Sequence, residues 1–188
     1  MTRARITLGA LALLALAGCK TEEAALPQPL ALTAEAVGHY CQMGLLEHDG
    51  PKAQVHLEGM PGALFFSQVR DAVAYLHMPE QSHAVTVAYV QDMTGASWDA
   101  PGEWIEIGRA TFVLGSDRMG GMGAAEFVPF SDPQAARAFA DSHGGEIRAF
   151  DQITAQEALE AREPAAPAEA DDTISGRLRA LSQSARNN

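Results

Sequence analysis

Cys41, Gln42 and Met43 place a thiol and a thioether two residues apart, and His48 follows five residues later. Soft sulfur donors of this kind favour Cu(I) over hard cations. A buried cysteine and a core methionine are also ordinary packing residues, so the other methionines have to be considered with them. Met60 lies in Gly-Met-Pro-Gly, Met78 precedes Pro79, Met93 stands in Asp-Met-Thr-Gly, and Met119 and Met122 flank a Gly-Gly pair. Turns of this kind explain a methionine by packing less well than the interior of a helix or strand does. Thioethers bind Cu(I) and are poor ligands for zinc, magnesium or calcium. The residues thus point to a Cu(I) site built on Cys41, Met43 and a methionine from a loop. His48 is a further possible donor but reads as a surface residue, and the other histidines show no partner by spacing.

Other chemistries find little support. A nucleophilic Cys41 needs a histidine or aspartate beside it, which spacing does not reveal. The run Gly120-Gly121-Met122-Gly123 lacks the lysine and hydroxyl of a phosphate-binding loop. Neither CxxC nor a paired-cysteine zinc spacing occurs.

The chain opens with Arg3 and Arg5, then an apolar run from Ile6 to Ala17 that ends in Leu-Ala-Gly-Cys at Cys19. This is the pattern of a lipoprotein leader over residues 1–18, with Cys19 the acylated residue and lipid the membrane anchor. Of two cysteines, Cys41 alone then stays free, and no internal disulfide can form. Loss of Arg3 and Arg5 takes 13 basic residues to 11 against 24 acidic ones, a net charge of −13. Such a surface repels nucleic acid and complements a basic docking face.

The elements that must position the ligands begin after an Ala-, Pro- and Glu-rich flexible tether, residues 19–38. Gln54–Leu57 alternates and reads as a strand. Ala63–Phe66 reads as a more buried one, and Ser67 as the cap of a helix that Pro79 stops. Ala84–Val90 is a third strand. After a looser stretch with both tryptophans, Ala110–Leu114 and Glu126–Phe130 are strands around a loop from Gly115 to Gly123. Asp132 and Pro133 open a helix that stops at Gly144-Gly145, and Glu146–Phe150 closes the block. Thr154 and Glu157 form a capping-box pattern for a last helix. Phe66-Ser67 and Phe130-Ser131 align the blocks, and Ala72 then matches Ala136 and Tyr75 matches Phe139. The expected fold is α+β: two similar strand-strand-helix-strand units in tandem, at 39–95 and 96–162, with a disordered tail over 163–188.

The chain resembles the NosL family of lipoproteins through Cys41-Gln42-Met43, Gly50-Pro51-Lys52-Ala53-Gln54, Phe65-Phe66-Ser67-Gln68-Val69-Arg70-Asp71-Ala72, Tyr89-Val90-Gln91-Asp92-Met93, Gly120-Gly121-Met122-Gly123-Ala124, Val128-Pro129-Phe130-Ser131 and His143-Gly144-Gly145. The resemblance implies a periplasmic, lipid-anchored Cu(I) metallochaperone that is not an enzyme. It would serve maturation of nitrous oxide reductase, with an ABC-type maturation complex in the membrane as docking partner. It also implies paired strand-strand-helix-strand units like part of organomercurial lyase. The family's Cys-Gly-Met is Cys-Gln-Met here, which bears on the backbone at Gln42 more than on the ligands. The resulting expectation is a monomer or weak dimer that binds Cu(I) through Cys41, Met43, Met93 and Met122. Extended chain would put Cys41 and Met43 on one side. The rivals are a metal-free adaptor and a thiol enzyme of the organomercurial-lyase type.

Overall fold

A computed structural model describes residues 25–79 and 83–160. The leader, Cys19 and the tail from 163 lie outside the described residues.

Strand β1 (Ala53–Leu57) is the centre of the first unit. It pairs antiparallel with β2 (Ala63–Phe66) on one side and β3 (Val85–Gln91) on the other. Helix α1 (Val69–His77) joins β2 to β3. It ends at Met78, whose extended backbone (φ −75°, ψ 131°) is what the following proline imposes. The second unit repeats this plan: β5 (Thr111–Met119) lies between β6 (Ala125–Phe130) and β7 (Glu146–Ala149), and helix α2 (Pro133–His143) joins β6 to β7. The registers correspond as well. Ala53 faces Phe66 and Val90 in the first sheet, and Thr111 faces Phe130 and Ala149 in the second. Ala72 and Ala136, matched in the sequence, are both fully buried.

Strand β4 (Trp104–Glu106) pairs with β3 as an edge strand of the first sheet. It lies in the stretch that composition assigns to the second unit. Strand β5 runs on to Met119 past a register shift, so the loop expected from Gly115 contracts to residues 120–124.

Alternation along β5 sends Phe112 and Leu114 to one face of its sheet and Val113 to the other. The first face joins Phe127, Val69 and Val73 in a core shared by both units. Helix α1 touches β1 and β2 on one side and β6 on the other, while α2 covers the outer face with Val128, Phe130 and Ala136. Helix α3 (Ala155–Leu159), opened by the expected Thr154–Glu157 capping box, returns to α1, where Arg70 Nε donates to Ala158 O at 3.1 Å. The two units therefore share one hydrophobic core.

Part of the stretch read as a tether, from Pro27 to Leu30, is bonded to the first sheet. Leu30 and Gln54 exchange two hydrogen bonds, at 2.8 and 3.0 Å, and Tyr89 Oη donates to Pro27 O at 2.7 Å. This segment covers the outer face of β1, so all five of its residues are buried where alternation predicts a solvated face. His56 is buried there on Gln54 at 3.0 Å, and burial lowers its pKa.

Candidate metal centre

The thiol sits in a tight loop that precedes the first unit. Gly38 N–H donates to Met43 O at 3.0 Å and Gln42 N–H to Gly38 O at 2.9 Å, closing residues 38–43 on themselves. His39 N–H donates to Phe65 O at 2.6 Å, and the rings of His39 and Tyr40 pack on Phe66. The loop is thus fixed to the end of β2. Gln42 has φ 56° and is the only non-glycine residue in the left-handed region among the described residues. Its side chain offsets the strain by donating from Nε2 to His39 O at 2.7 Å and Gly38 O at 3.2 Å. The expectation of extended chain from Cys41 to Met43 is therefore wrong. The two residues belong to a turned loop because Gln42 adopts the conformation that favours glycine. Cys41 Sγ folds back over Gly38, where any side chain would collide with it. The thiol lies 3.6 Å from Ser67 Oγ.

Ser67 does not cap α1 as the sequence suggests. Gln68 takes the N-cap position with no side-chain capping bond. The cap comes from the other unit: Glu126 Oε1 on β6 accepts from Arg70 N–H at 3.0 Å and from Phe127 N–H at 2.8 Å. The Gln68 side chain turns instead to the methionine loop. Its Oε1 accepts from Met122 N–H at 3.1 Å and its Nε2 donates to Asp71 Oδ2 at 2.9 Å.

That loop is closed by Gly120 N–H to Ala124 O at 2.8 Å and Gly123 N–H to Gly120 O at 2.9 Å. It lies so near its support that glycine is required twice. A Cβ on Gly120 would stand 2.5 Å from Glu126 Oε2 and 2.6 Å from Gln68 Oε1. One on Gly121 would stand 2.7 Å from His48 Cβ, so the His48 imidazole borders the loop. Its Nε2 is buried with no hydrogen-bond partner among the described residues.

Cys41 and Met122 thus lean on consecutive residues, Ser67 and Gln68, at the start of α1. Met43 and Met122 are 39% and 45% exposed, so their thioethers can reach a surface ion. Met93 is not placed for this role. It is buried among Val113, Val128, Phe130 and Ala136, with its N–H donating to Pro129 O at 2.9 Å. The turn that carries it folds inward because Asp92 Oδ1 accepts from Thr94 N–H at 2.9 Å and Ser131 N–H at 2.8 Å. Met93 is a packing residue.

Beneath the loop lies a buried ionisable group that spacing did not single out. Burial pushes the Glu126 carboxyl up to about 7, against the backbone amides that favour its charge. Asp71 is raised by burial too, and Lys52 is lowered by burial although the Glu126 charge pulls the other way. The Lys52 ammonium donates to the carbonyls of Asp49 and Gly50. The signal for Glu126 was a single acid in an otherwise apolar strand, Ala-Glu-Phe-Val-Pro-Phe. Among the described residues, no three His, Cys, Asp or Glu side chains group so as to hold a metal ion. The soft donor types here are the Cys41 thiol, Met43 two residues on in the same loop, and the exposed Met122 of the second loop.

A family model described as NosL matches residues 29–158. A copper-binding lipoprotein NosL of Achromobacter cycloclastes is 51% identical over 185 residues, covering 96% of each chain. One of Stutzerimonas stutzeri is 30% identical over 142 residues, covering 73% of each. The crystal structure of the copper chaperone NosL from Shewanella denitrificans superposes with a TM-score of 0.64 at 33% identity, over 68% of this chain and 96% of that one. These relatives are named for copper, and none for catalysis.

Proposed function

The chain belongs to the NosL family, and on that premise we propose that it binds Cu(I) and delivers it for the maturation of nitrous oxide reductase. The observation that carries this reading is the convergence of the Cys41 thiol and the Met119–Met122 loop on Ser67 and Gln68. Cys41 supplies a thiolate on binding and gives up its proton, which makes it the strongest donor in the set. Met43 and Met122 add neutral thioethers that hold Cu(I) without stabilising harder ions. The fit lies in the donor set, in which one thiol and exposed thioethers outnumber the single imidazole at the border of the loop, His48. Partial exposure of both methionines leaves the cargo open to a second set of ligands on an acceptor, as delivery requires. Acylation at Cys19 would hold the protein to the periplasmic side of a membrane. There its acidic surface would meet an ABC-type maturation complex. Among the described residues no helix is long and apolar enough to cross a membrane.

Anaerobic competition with a Cu(I) chelator tests the reading. Cys41→Ala should weaken binding about 100-fold or more, because it removes charge and donor together. Met122→Leu keeps the volume and removes only the thioether, and should weaken binding about tenfold. Far-UV circular dichroism controls for folding. Should folded Cys41→Ala bind Cu(I) as tightly as the parent, the site lies elsewhere.

A further inference from the structure

We propose that Gln68 is a positioning residue for copper binding: it holds the methionine loop of the second unit beside the thiol of the first. The inference rests on Met122 as a ligand, as proposed above. Glutamine is not a favoured N-cap residue, and here its side chain makes no cap. The helix does not need one, because Glu126 reaches across from β6 to the amide of Arg70. Relieved of capping, Gln68 is 3% exposed, and both ends of its carboxamide are committed. Nε2 is anchored on Asp71 at 2.9 Å, which fixes the amide plane, and Oε1 is presented to Met122 N–H at 3.1 Å. Gly120 passes directly over that oxygen, with no room for a side chain between them. Ser67, one residue back, is the hydroxyl next to Cys41 Sγ. A glycine-rich loop has many conformations to lose on ordering. A single buried acceptor that selects one of them lowers the entropy cost of bringing Met122 to the ion.

The test has two arms. In the copper-free protein, amide hydrogen exchange at Met122 should accelerate about fivefold or more in Gln68→Ala and in the volume-filling Gln68→Leu, at unchanged global stability-corrected rates elsewhere. In Cu(I) competition, Gln68→Leu should weaken binding about fivefold in the parent and less than twofold in a Met122→Leu background, because residues acting through one contact are not additive. Equal losses in both backgrounds would make Gln68 a merely structural residue and overturn the proposal. Unchanged exchange at Met122 in both Gln68 variants would overturn it as well. If Met122→Leu alone leaves affinity unchanged while exchange at Met122 still responds to Gln68, the ligand assignment of Met122 is what has failed, and the proposal falls with it.

Discussion

Replacing Glu126 by glutamine should stabilise the protein at alkaline pH and leave it nearly unchanged at acid pH. Glu126 is 1% exposed, and its carboxyl is pushed from 4.5 to about 7. At about 1.4 kcal/mol per tenfold change, the ionised fold is penalised by about 3 kcal/mol relative to the protonated one. The folded state binds this proton more tightly than the unfolded chain does. The associated stability is complete below pH 4.5 and is lost as pH rises through about 7. Glutamine keeps an acceptor for the amides of Arg70 and Phe127 and puts a neutral NH2 where Oε2 now has no partner. Lys52 opposes the full gain, since its buried ammonium benefits from the Glu126 charge. From α1, Asp71 adds like charge that raises the Glu126 carboxyl further, and Arg70 donates its backbone amide to it. The expected advantage of Glu126→Gln is therefore about 1–3 kcal/mol at pH 8 and under about 0.5 kcal/mol at pH 4.5. Urea unfolding at a series of pH values, followed by circular dichroism, reads it as a difference in which the histidine contributions cancel. A stability difference that is the same at both ends of the range would refute the assignment of Glu126 as the titrating group.

Gln42→Ala should cost about 1 kcal/mol, because it keeps the left-handed strain and loses two side-chain bonds, whereas Gln42→Gly should stay within about 0.5 kcal/mol of the parent. Stability of Gln42→Ala equal to that of the parent in urea would remove the role given to the Gln42 carboxamide. Met93→Leu should leave Cu(I) affinity within about twofold, and Met93→Ala should cost about 2–4 kcal/mol of stability. A selective loss of copper binding in Met93→Leu would return Met93 to the ligand set. Cys19→Ser should move the protein from the membrane to the soluble fraction on cell fractionation, and continued complete membrane association would exclude acylation there as the anchor.

The repeat was legible because each unit carries its own local punctuation. Asp132 and Pro133 start α2 in the sequence and in space, Pro79 stops α1, and Phe66 and Phe130 end equivalent strands. What stayed hidden is long-range. The hydrogen bonds of Leu30 with Gln54 make part of an apparent tether into a cover for β1, and nothing in its composition announces that partner. Strand β4 is three residues on a sheet edge, too short for a period to show. In the site, Cys41 and Met122 were readable as residue types, but Met93 was not distinguishable from them. Whether a methionine in a turn faces solvent or core depends on which way the turn folds, and Asp92 decides that through Ser131 in the other unit.

The same long-range bonds explain why a site should form where it does. Two copies of one unit, packed about α1, bring the start of α1 against the β5–β6 loop, a neighbourhood that neither copy has alone. Polar groups at that seam must find partners on the opposite unit, since burial without them is costly. Glu126 finds the α1 amides, Gln68 finds Met122 and Asp92 finds Ser131. The seam thereby acquires a rigid buried floor, while its upper surface keeps a half-buried thiol and two exposed thioethers. On the proposed reading, this division suits a carrier. The floor holds the geometry without binding metal, and the soft donors above it remain within reach of an acceptor that must take the ion away.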